Sequence, residues 1–112
     1  MVLPFLHRTA PLADVPLSDD HAVELERLLH ALADRQRLKI LSLALQAGDD
    51  ALSVSDLRDA LRIGQPTVSH HVKRLVHAGL LVRERDGSFV RVRVAPEALA
   101  QLRLLFAEAT DA

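Results

Sequence analysis

Leucines that recur at helical spacing predict two helices in the first half of the chain. Ser18 and the two aspartates after it favour a helix start, because short acceptor side chains cap free N–H groups and acidic residues suit the positive end of the helix dipole. The helix that follows carries one apolar stripe, formed by Leu25, Leu28, Leu29 and Leu32. A second helix, capped by Asp34, is apolar on most sides, which favours a central, buried position. Its repeating leucines are Leu38, Leu41 and Leu45.

Two further helices with a sharp turn between them are predicted from residue 53 to residue 77. Ser53 or Ser55 can cap the short helix VSDLRDAL, and Ile63-Gly64 leaves room only for a tight turn. The next helix begins at Gln65, with Pro66 in its first turn, where the missing N–H costs nothing. Valines and a leucine fall on one side of this helix. The opposite side is polar and basic, and carries Thr67, His70, Lys73, Arg74 and His77.

A β-hairpin and a last helix follow. The segment LLVRERDGSFVRVRV alternates apolar and charged residues around Asp86-Gly87, which is a strong hairpin signal. The valines of its second strand recur at strict period two, so we expect them to face the core and the arginines between them to face solvent or phosphate. The last helix begins near Pro96, and its apolar residues include Leu99, Leu102, Leu105 and Phe106.

These elements predict a mainly α-helical fold of about five helices with a small, two-stranded β-hairpin. We expect residues 18–112 to form one domain and residues 1–17, which contain three prolines, to form an extended or mobile arm. The first and last helices have no further chain to cover them, so we expect them to pair across a two-fold axis in a homodimer. The expected interface residues are Leu25, Leu28, Leu29, Leu102, Leu105 and Phe106.

The composition excludes several kinds of site. The 112 residues contain no cysteine, which excludes disulfides, thiolate metal sites and cysteine nucleophiles. No apolar run is long enough for a signal peptide or a membrane span, so we expect a cytoplasmic protein without a membrane partner. No nucleophile, base and orienting carboxylate stand together, and no glycine-rich phosphate loop occurs. We therefore expect no catalytic residues and no cofactor.

Positive charge is concentrated in one block of the chain. The net charge of the whole chain is −1, yet residues 62–93 hold seven basic and two acidic side chains, whereas residues 1–34 hold two basic and six acidic ones. A basic face favours a polyanionic partner, the alternative being a charged surface that meets only solvent. A helix with a hydrogen-bonding and cationic side fits the major groove of double-stranded DNA, where base edges meet donors and acceptors and phosphates meet cations.

Three segments of the chain together resemble one known family. LLHALADRQRLKILSLAL, SVSDLRDAL and GQPTVSHHVKRLVHAGLLVRERDGSFVRVRV resemble the arsenic-repressor (ArsR/SmtB) family of winged helix-turn-helix repressors, over about residues 25–107. The resemblance implies a dimeric repressor that binds a palindromic operator and leaves it when an inducer binds. It places Gln65, Thr67, Ser69 and His70 at the base-reading start of the recognition helix. The residues implied to lie near phosphates are Lys73, Arg74, Arg85 and Arg91.

Two metal sites of that family are missing from this sequence. Arsenic- and cadmium-sensing members carry Cys-Val-Cys before the recognition helix, where this chain has Ser53-Val54-Ser55, and hydroxyls are poor ligands for a soft ion. Zinc- and cobalt-sensing members carry aspartate and histidine on the last helix, where this chain offers only Glu97 and Glu108. We therefore expect no metal at these positions, and the inducer is unknown.

Two alternatives to an inducer-released repressor stay open. One is a winged-helix protein that binds DNA constitutively, or binds protein, without sensing a metal. The other is a metal sensor with a site at the dimer interface, unlike the family's own sites. Its candidate ligands are His7, His21 and His30 with Glu24 or Glu26. On the recognition helix, we expect His71 to make a structural hydrogen bond and His70 to contact bases.

Overall fold

The computed structural model describes residues 17–105, which form five α-helices and three β-strands. The elements are α1 (Asp19–Leu32), α2 (Arg35–Ala47), β1 (Leu52–Ser53), α3 (Val54–Leu61), α4 (Gln65–His77), β2 (Leu81–Asp86), β3 (Phe89–Val94) and α5 (Pro96–Leu105). This confirms the predicted helical fold with its hairpin, and α4 is called the recognition helix below. The arm at residues 1–16 and the end of the chain from Phe106 lie outside the described residues. Within residues 17–105, no helix has the length and apolar character that a membrane crossing requires.

The helices begin at side-chain caps. Ser18 accepts a hydrogen bond from the backbone N–H of His21 at 3.3 Å, as the sequence predicted. Ser53 and Asp56 form a capping box at α3, in which the Ser53 hydroxyl accepts from the Asp56 N–H at 3.0 Å and the Asp56 carboxylate accepts from the Ser53 N–H at 3.1 Å. Each cap satisfies N–H groups that the first helical turn leaves without a partner. Of the two serines considered, Ser53 is therefore the one that caps α3.

The hydrophobic core takes one side from each helix and from the sheet. Its most deeply buried large residues are Ile40, Leu57, Val68, Val72, Leu75, Leu80 and Val92. The recognition helix thus contributes the valines and the leucine that the pattern assigned to its inner side. Helix α2 lies between α1, α3, the recognition helix and β3.

Helix α2 is buried on one side only, which differs from the prediction of a helix covered on most sides. Ile40 and Ala44 are fully buried, whereas Leu38 and Leu45 are 50% and 43% exposed. Leu38 lies about 200° around the helix from Ile40, so a side that packs Ile40 inward turns Leu38 outward. The apolar residues of α2 therefore exceed what the core of one protomer covers.

The hairpin of β2 and β3, called the wing below, belongs to a three-stranded antiparallel sheet and is not isolated. The strand order is β1-β3-β2, and Leu52 of β1 lies opposite Val92 of β3. The two residues of β1 are too few to show a period, which is why the sequence did not reveal them. Gly87 turns the hairpin with a φ of +63°, a conformation that glycine adopts without strain. Because β1 leads directly into α3, this pairing connects the wing to the helix-turn-helix.

The packing of α1 changes the expected dimer interface. Leu25 and Leu28 are only 4% and 5% exposed within one protomer, so they belong to its own core and offer little surface to a second copy. Leu29 is 42% exposed, and Leu102 on α5 is half-buried against the core. The side chain of Leu105 and all of Phe106 lie outside the part that is described. Of the predicted interface, Leu29 is the residue that the structure places at the surface.

Candidate nucleic-acid interface

A tight turn sets the angle between α3 and the recognition helix. Arg62 ends α3 in the left-handed conformation, with φ 58° and ψ 41°, and its N–H donates to the Arg58 carbonyl at 2.9 Å. The carbonyl of Gly64 accepts from the N–H groups of Thr67 and Val68, both at 3.1 Å. Pro66 occupies the first turn, as predicted. The start of the recognition helix therefore stands at an exposed corner of the fold.

The recognition helix has a buried side and an exposed side, as its sequence pattern predicts. Val68, Val72 and Leu75 are at most 1% exposed. Ser69, one of the four predicted base-reading residues, is half-buried at a cleft between the helix and the wing. The exposed polar residues are Gln65, Thr67, His70, Lys73, Arg74 and His77. Three of the four predicted base-reading residues thus reach the surface fully.

The two strands of the wing present two faces of different charge. Residues that pair across an antiparallel ladder share a face, and Arg83 and Arg85 lie opposite Val92 and Val90. The other face carries the remaining two arginines together with both acidic residues of the hairpin. Those four residues are Glu84, Asp86, Arg91 and Arg93. The sequence shows that apolar and charged residues alternate in the hairpin, but it does not show which arginines have acidic neighbours across the two strands.

Both arginines on the second of these faces are ion-paired. Arg93 Nε donates to Glu84 Oε1 at 2.7 Å, and this hydrogen bond raises the pKa of the Arg93 guanidinium above its ordinary value. Arg91 Nε lies 3.4 Å from Asp86 Oδ2. Arg85 is exposed and makes no ion pair with any residue in the range 17–105. The uncompensated positive charge of the wing is therefore on the face of Arg83 and Arg85.

A buried arginine connects the corner between α1 and α2 to the recognition helix. Arg37 is 7% exposed, and its Nε donates to the carbonyl of Ala31. Its Nη2 donates to the carbonyl of His30 at 3.3 Å, and its Nη1 lies 3.3 Å from Nδ1 of His71. Arg37 thus supplies donors to two carbonyls in the last turn of α1, and it also contacts the recognition helix. Its buried charge is spread over three acceptors, which offsets the cost of removing it from water.

The surroundings of His71 favour its neutral form. An imidazole nitrogen that accepts from a guanidinium carries no proton, so Nδ1 is the acceptor and Nε2 carries the hydrogen. Burial lowers the pKa of His71, and the positive charge of Arg37 acts in the same direction, whereas Asp34, 3.9 Å from Nδ1, acts against them. The pKa of Asp34 is lowered, first of all by the hydrogen bond that it accepts from the Arg37 N–H at 3.0 Å. The predicted structural hydrogen bond of His71 is confirmed.

A second, longer contact joins α1 to the recognition helix. Arg74 Nη2 lies 3.5 Å from Nδ1 of His30. With Glu24 and His77, these residues line a cavity of about 540 Å³ between α1 and the end of the recognition helix. In the described part of the chain, no three histidine, aspartate or glutamate side chains are grouped so that they could hold a metal ion. His7, the arm residue of the interfacial metal hypothesis, lies outside that part.

Sequence reasoning missed three residues of this region. Arg37 falls on the same stripe of α2 as Ile40 and Ala44, and a cation on a buried stripe was the signal that could have found it. Arg83 was counted in the basic block but was not singled out. Phe89 is 56% exposed at the start of β3 and lines the cleft next to Ser69.

Comparisons with known proteins found a matching family model and related sequences. A helix-turn-helix domain family matches residues 32–84. The HTH-type transcriptional repressor SmtB of Mycobacterium tuberculosis is 42% identical over 77 residues, covering 69% of this chain and 55% of the relative. The HTH-type transcriptional regulator NmtR of the same species is 34% identical over 87 residues, covering 78% of this chain and 70% of the relative. The chain spans little more than half the length of the first of these.

Among solved structures, the chain is similar to the homodimeric winged helix-turn-helix DNA-binding domain Mb0332 of Mycobacterium bovis, described as a possible ArsR-family transcriptional regulator. The TM-score is 0.65 and the sequences are 30% identical, with 79% of this chain and 82% of that chain covered. The similarity therefore includes the greater part of the helices and the wing described above.

Proposed function

Because the chain belongs to the ArsR/SmtB family of winged helix-turn-helix transcriptional repressors, we propose that it binds a palindromic DNA operator as a homodimer and leaves it when an inducer binds. The observation that carries this proposal is the exposed polar side of the recognition helix, next to a wing face whose arginines are not compensated. Donors and acceptors on such a helix read base edges, and the arginines contact phosphates.

We assign base reading to the exposed residues at the start of the recognition helix. Gln65, Thr67 and His70 carry donors or acceptors and stand at the corner formed by the turn at Gly64. Ser69 has a smaller part, because it is half-buried at the cleft with the wing. The proposed phosphate contacts are Lys73, Arg74, Arg83 and Arg85, with Arg91 contributing less because Asp86 already pairs with it.

The proposed dimer uses the outer surface of α1. Leu29 borders an apolar groove and is 42% exposed. The groove is lined mainly by Leu17, Ala22, Leu25, Leu29 and Ala33. Two copies related by a two-fold axis place two recognition helices on half-sites about 34 Å apart, one turn of the DNA helix.

The hydroxyls that replace the family's thiols support a signal other than a soft metal at α3. Ser53 is 7% exposed, and both its hydroxyl and its N–H are used in the capping box with Asp56. A side chain that caps a helix and lacks a thiolate is a poor ligand for such an ion. This favours the non-metal-sensing alternative over a sensor of the arsenic or cadmium type.

A binding assay on DNA from upstream of the protein's own gene tests the function. Fluorescence anisotropy should show tight binding to one palindrome and weaker binding to a scrambled duplex of equal length, with affinity falling as salt rises. Failure to prefer any palindrome at moderate salt would contradict the proposal. Repeating the titration with a panel of metals and with a chelator tests the release signal. Release by a metal would support the alternative of a metal site formed by the histidines of α1 and the arm.

A further inference from the structure

The recognition helix is attached to the rest of the protomer in two different ways. Its inner side packs Val68, Val72 and Leu75 into the core. Its flank carries His71, which meets Arg37 in the first turn of α2. Apolar burial fixes which side of the helix faces the core, but because it is not directional it restrains small rotations about the helix axis less sharply than a hydrogen bond does. A hydrogen bond has preferred distances and angles, and so the contact of Arg37 with His71 restrains that rotation.

A small rotation of this helix matters for reading bases. Side-chain ends lie about 5–6 Å from the helix axis, so a turn of about 10° moves them by about 1 Å. Hydrogen bonds to base edges tolerate only a few tenths of an ångström before they weaken. Thr67 is four residues before His71 and His70 is adjacent to it, so both move with the side chain that Arg37 holds.

We propose that Arg37 and His71 are positioning residues for DNA recognition, which hold the recognition helix at the rotation where Thr67 and His70 reach base edges. The inference rests on the proposed function and deepens it. Arg37 also binds the last carbonyls of α1, the helix of the proposed dimer surface. The same side chain therefore connects the rotation of the recognition helix to the position of α1, and a movement of α1 changes how DNA is read.

The protonation state of His71 gives this arrangement a measurable signature. The charged and titratable groups near its ring are Asp34, which caps α2, Arg37 on α2, and His70 and Arg74 on its own helix. A proton on Nδ1 removes the acceptor for Arg37 and adds a cation beside it. Specific binding should therefore weaken in acid through His71.

Two substitutions at one position separate the hydrogen bond from simple packing. His71→Leu places an apolar side chain of similar size at this position and removes the acceptor. His71→Asn places an amide oxygen near the position of Nδ1, where it accepts from Arg37 and does not titrate. Lys39→Leu, an exposed position on α2, is the control. For each variant, anisotropy gives the affinity for the operator and for a scrambled duplex, and thermal unfolding shows whether the protein is folded.

We expect His71→Leu to weaken operator binding about tenfold, the value of one good base contact, while binding to the scrambled duplex changes by less than about twofold. His71→Asn should keep the preference of the unaltered protein and lose part of its decline in acid. An unchanged preference in His71→Leu, or an equal loss in both variants, overturns the inference. If His71→Leu does not fold, the pH profiles decide, because parallel profiles for His71→Asn and the unaltered protein also overturn it.

Failure of the proposed function is distinguishable from failure of this inference. If the proposed function is wrong, the unaltered protein itself shows no preference for the operator. Preference in the unaltered protein that persists in His71→Leu rejects only the positioning role.

Discussion

Glu84 lies directly opposite Arg91 in the antiparallel register of the wing. Asp86 is the acidic residue that pairs with the Arg91 guanidinium, at 3.4 Å, so this arginine has two acidic neighbours on its own face. Arg85 lies on the other face and has no ion-pair partner among residues 17–105. Arginines six positions apart in the same hairpin therefore differ in the positive charge that they can offer to phosphate.

We predict that Arg85→Ala weakens binding to all DNA sequences alike and lowers the slope of log affinity against log salt by about 1, as the loss of one phosphate contact requires. Arg91→Ala should have a smaller effect on the slope, because its charge is already opposed. Lys39→Ala on the exposed side of α2 is the control. A salt titration by anisotropy measures all three, and equal slopes for Arg85→Ala and Arg91→Ala would show that the register does not govern phosphate contact.

Substitution at the start of the recognition helix should change which sequence is preferred. Thr67→Ala and His70→Ala each remove a donor or acceptor at the exposed corner, and a good base contact contributes about 1–3 kcal/mol of discrimination. We expect each variant to tolerate substitutions at one operator position that the unaltered protein rejects. Selection of preferred sequences from a random duplex pool measures this. If His70→Ala selects the same sequence as the unaltered protein, the proposed orientation of the helix in the groove is wrong.

Removal of the Ser53 hydroxyl that caps α3 should destabilise the protein, whereas removal of the nearby Ser55 hydroxyl should cost less. Ser53→Ala loses the hydroxyl that accepts from the Asp56 N–H, and the loss of such a cap costs about 1 kcal/mol of the free energy of unfolding. Ser55→Ala is the matched control, since Ser55 lies inside the first turn of α3 and is not its cap. Urea denaturation of both variants measures the difference. A cost for Ser55→Ala as large as that for Ser53→Ala would contradict the assignment of the cap.

The stability of the protein should fall as the pH drops below the ordinary pKa of histidine. Burial lowers the pKa of folded His71 from 6.5, so below 6.5 the unfolded chain binds the proton more readily than the folded one. This contribution is complete above 6.5 and is lost as the pH falls through the folded value. Asp34, whose pKa is also lowered, adds a second contribution to stability. That contribution is complete above pH 3.8 and is lost as the pH falls below this value. Denaturation midpoints measured as a function of pH should show a loss of stability below pH 6.5 that His71→Asn reduces. The further loss below pH 3.8, which belongs to Asp34, should persist in that variant.

A charge placed on the outer surface of α1 should separate the two copies of the dimer. Leu29 and Leu38 are exposed to a similar degree, at 42% and 50%, but lie on α1 and α2 respectively. We expect Leu29→Glu to sediment as a monomer and to bind the palindrome more weakly, because burying an unpaired carboxylate is costly. Leu38→Glu should remain dimeric. Dissociation by Leu38→Glu instead would place the interface on α2.

Much of the candidate site follows from local sequence. The caps at Ser18, Asp34 and Ser53, the turn at Gly64 and the two sides of the recognition helix are set by residues close together in the chain. Capping and helical periodicity act over a few residues, so their signals are present in the sequence itself. The same locality explains why the hairpin at Asp86-Gly87 was predicted at its observed position.

Other features depend on contacts between distant residues, and only the tertiary structure decided them. Arg37 and His71 are 34 positions apart, and no local pattern brings them together. The register of β2 on β3 determined which arginines have acidic partners. The arrangement of α1 and α2 around the core buried Leu25 and left Leu38 exposed, although both belong to leucine repeats. The sequence by itself thus determined the helices, the wing and the polar side of the recognition helix, whereas their mutual packing decided which charges lack a partner and which residues contact the flank of that helix.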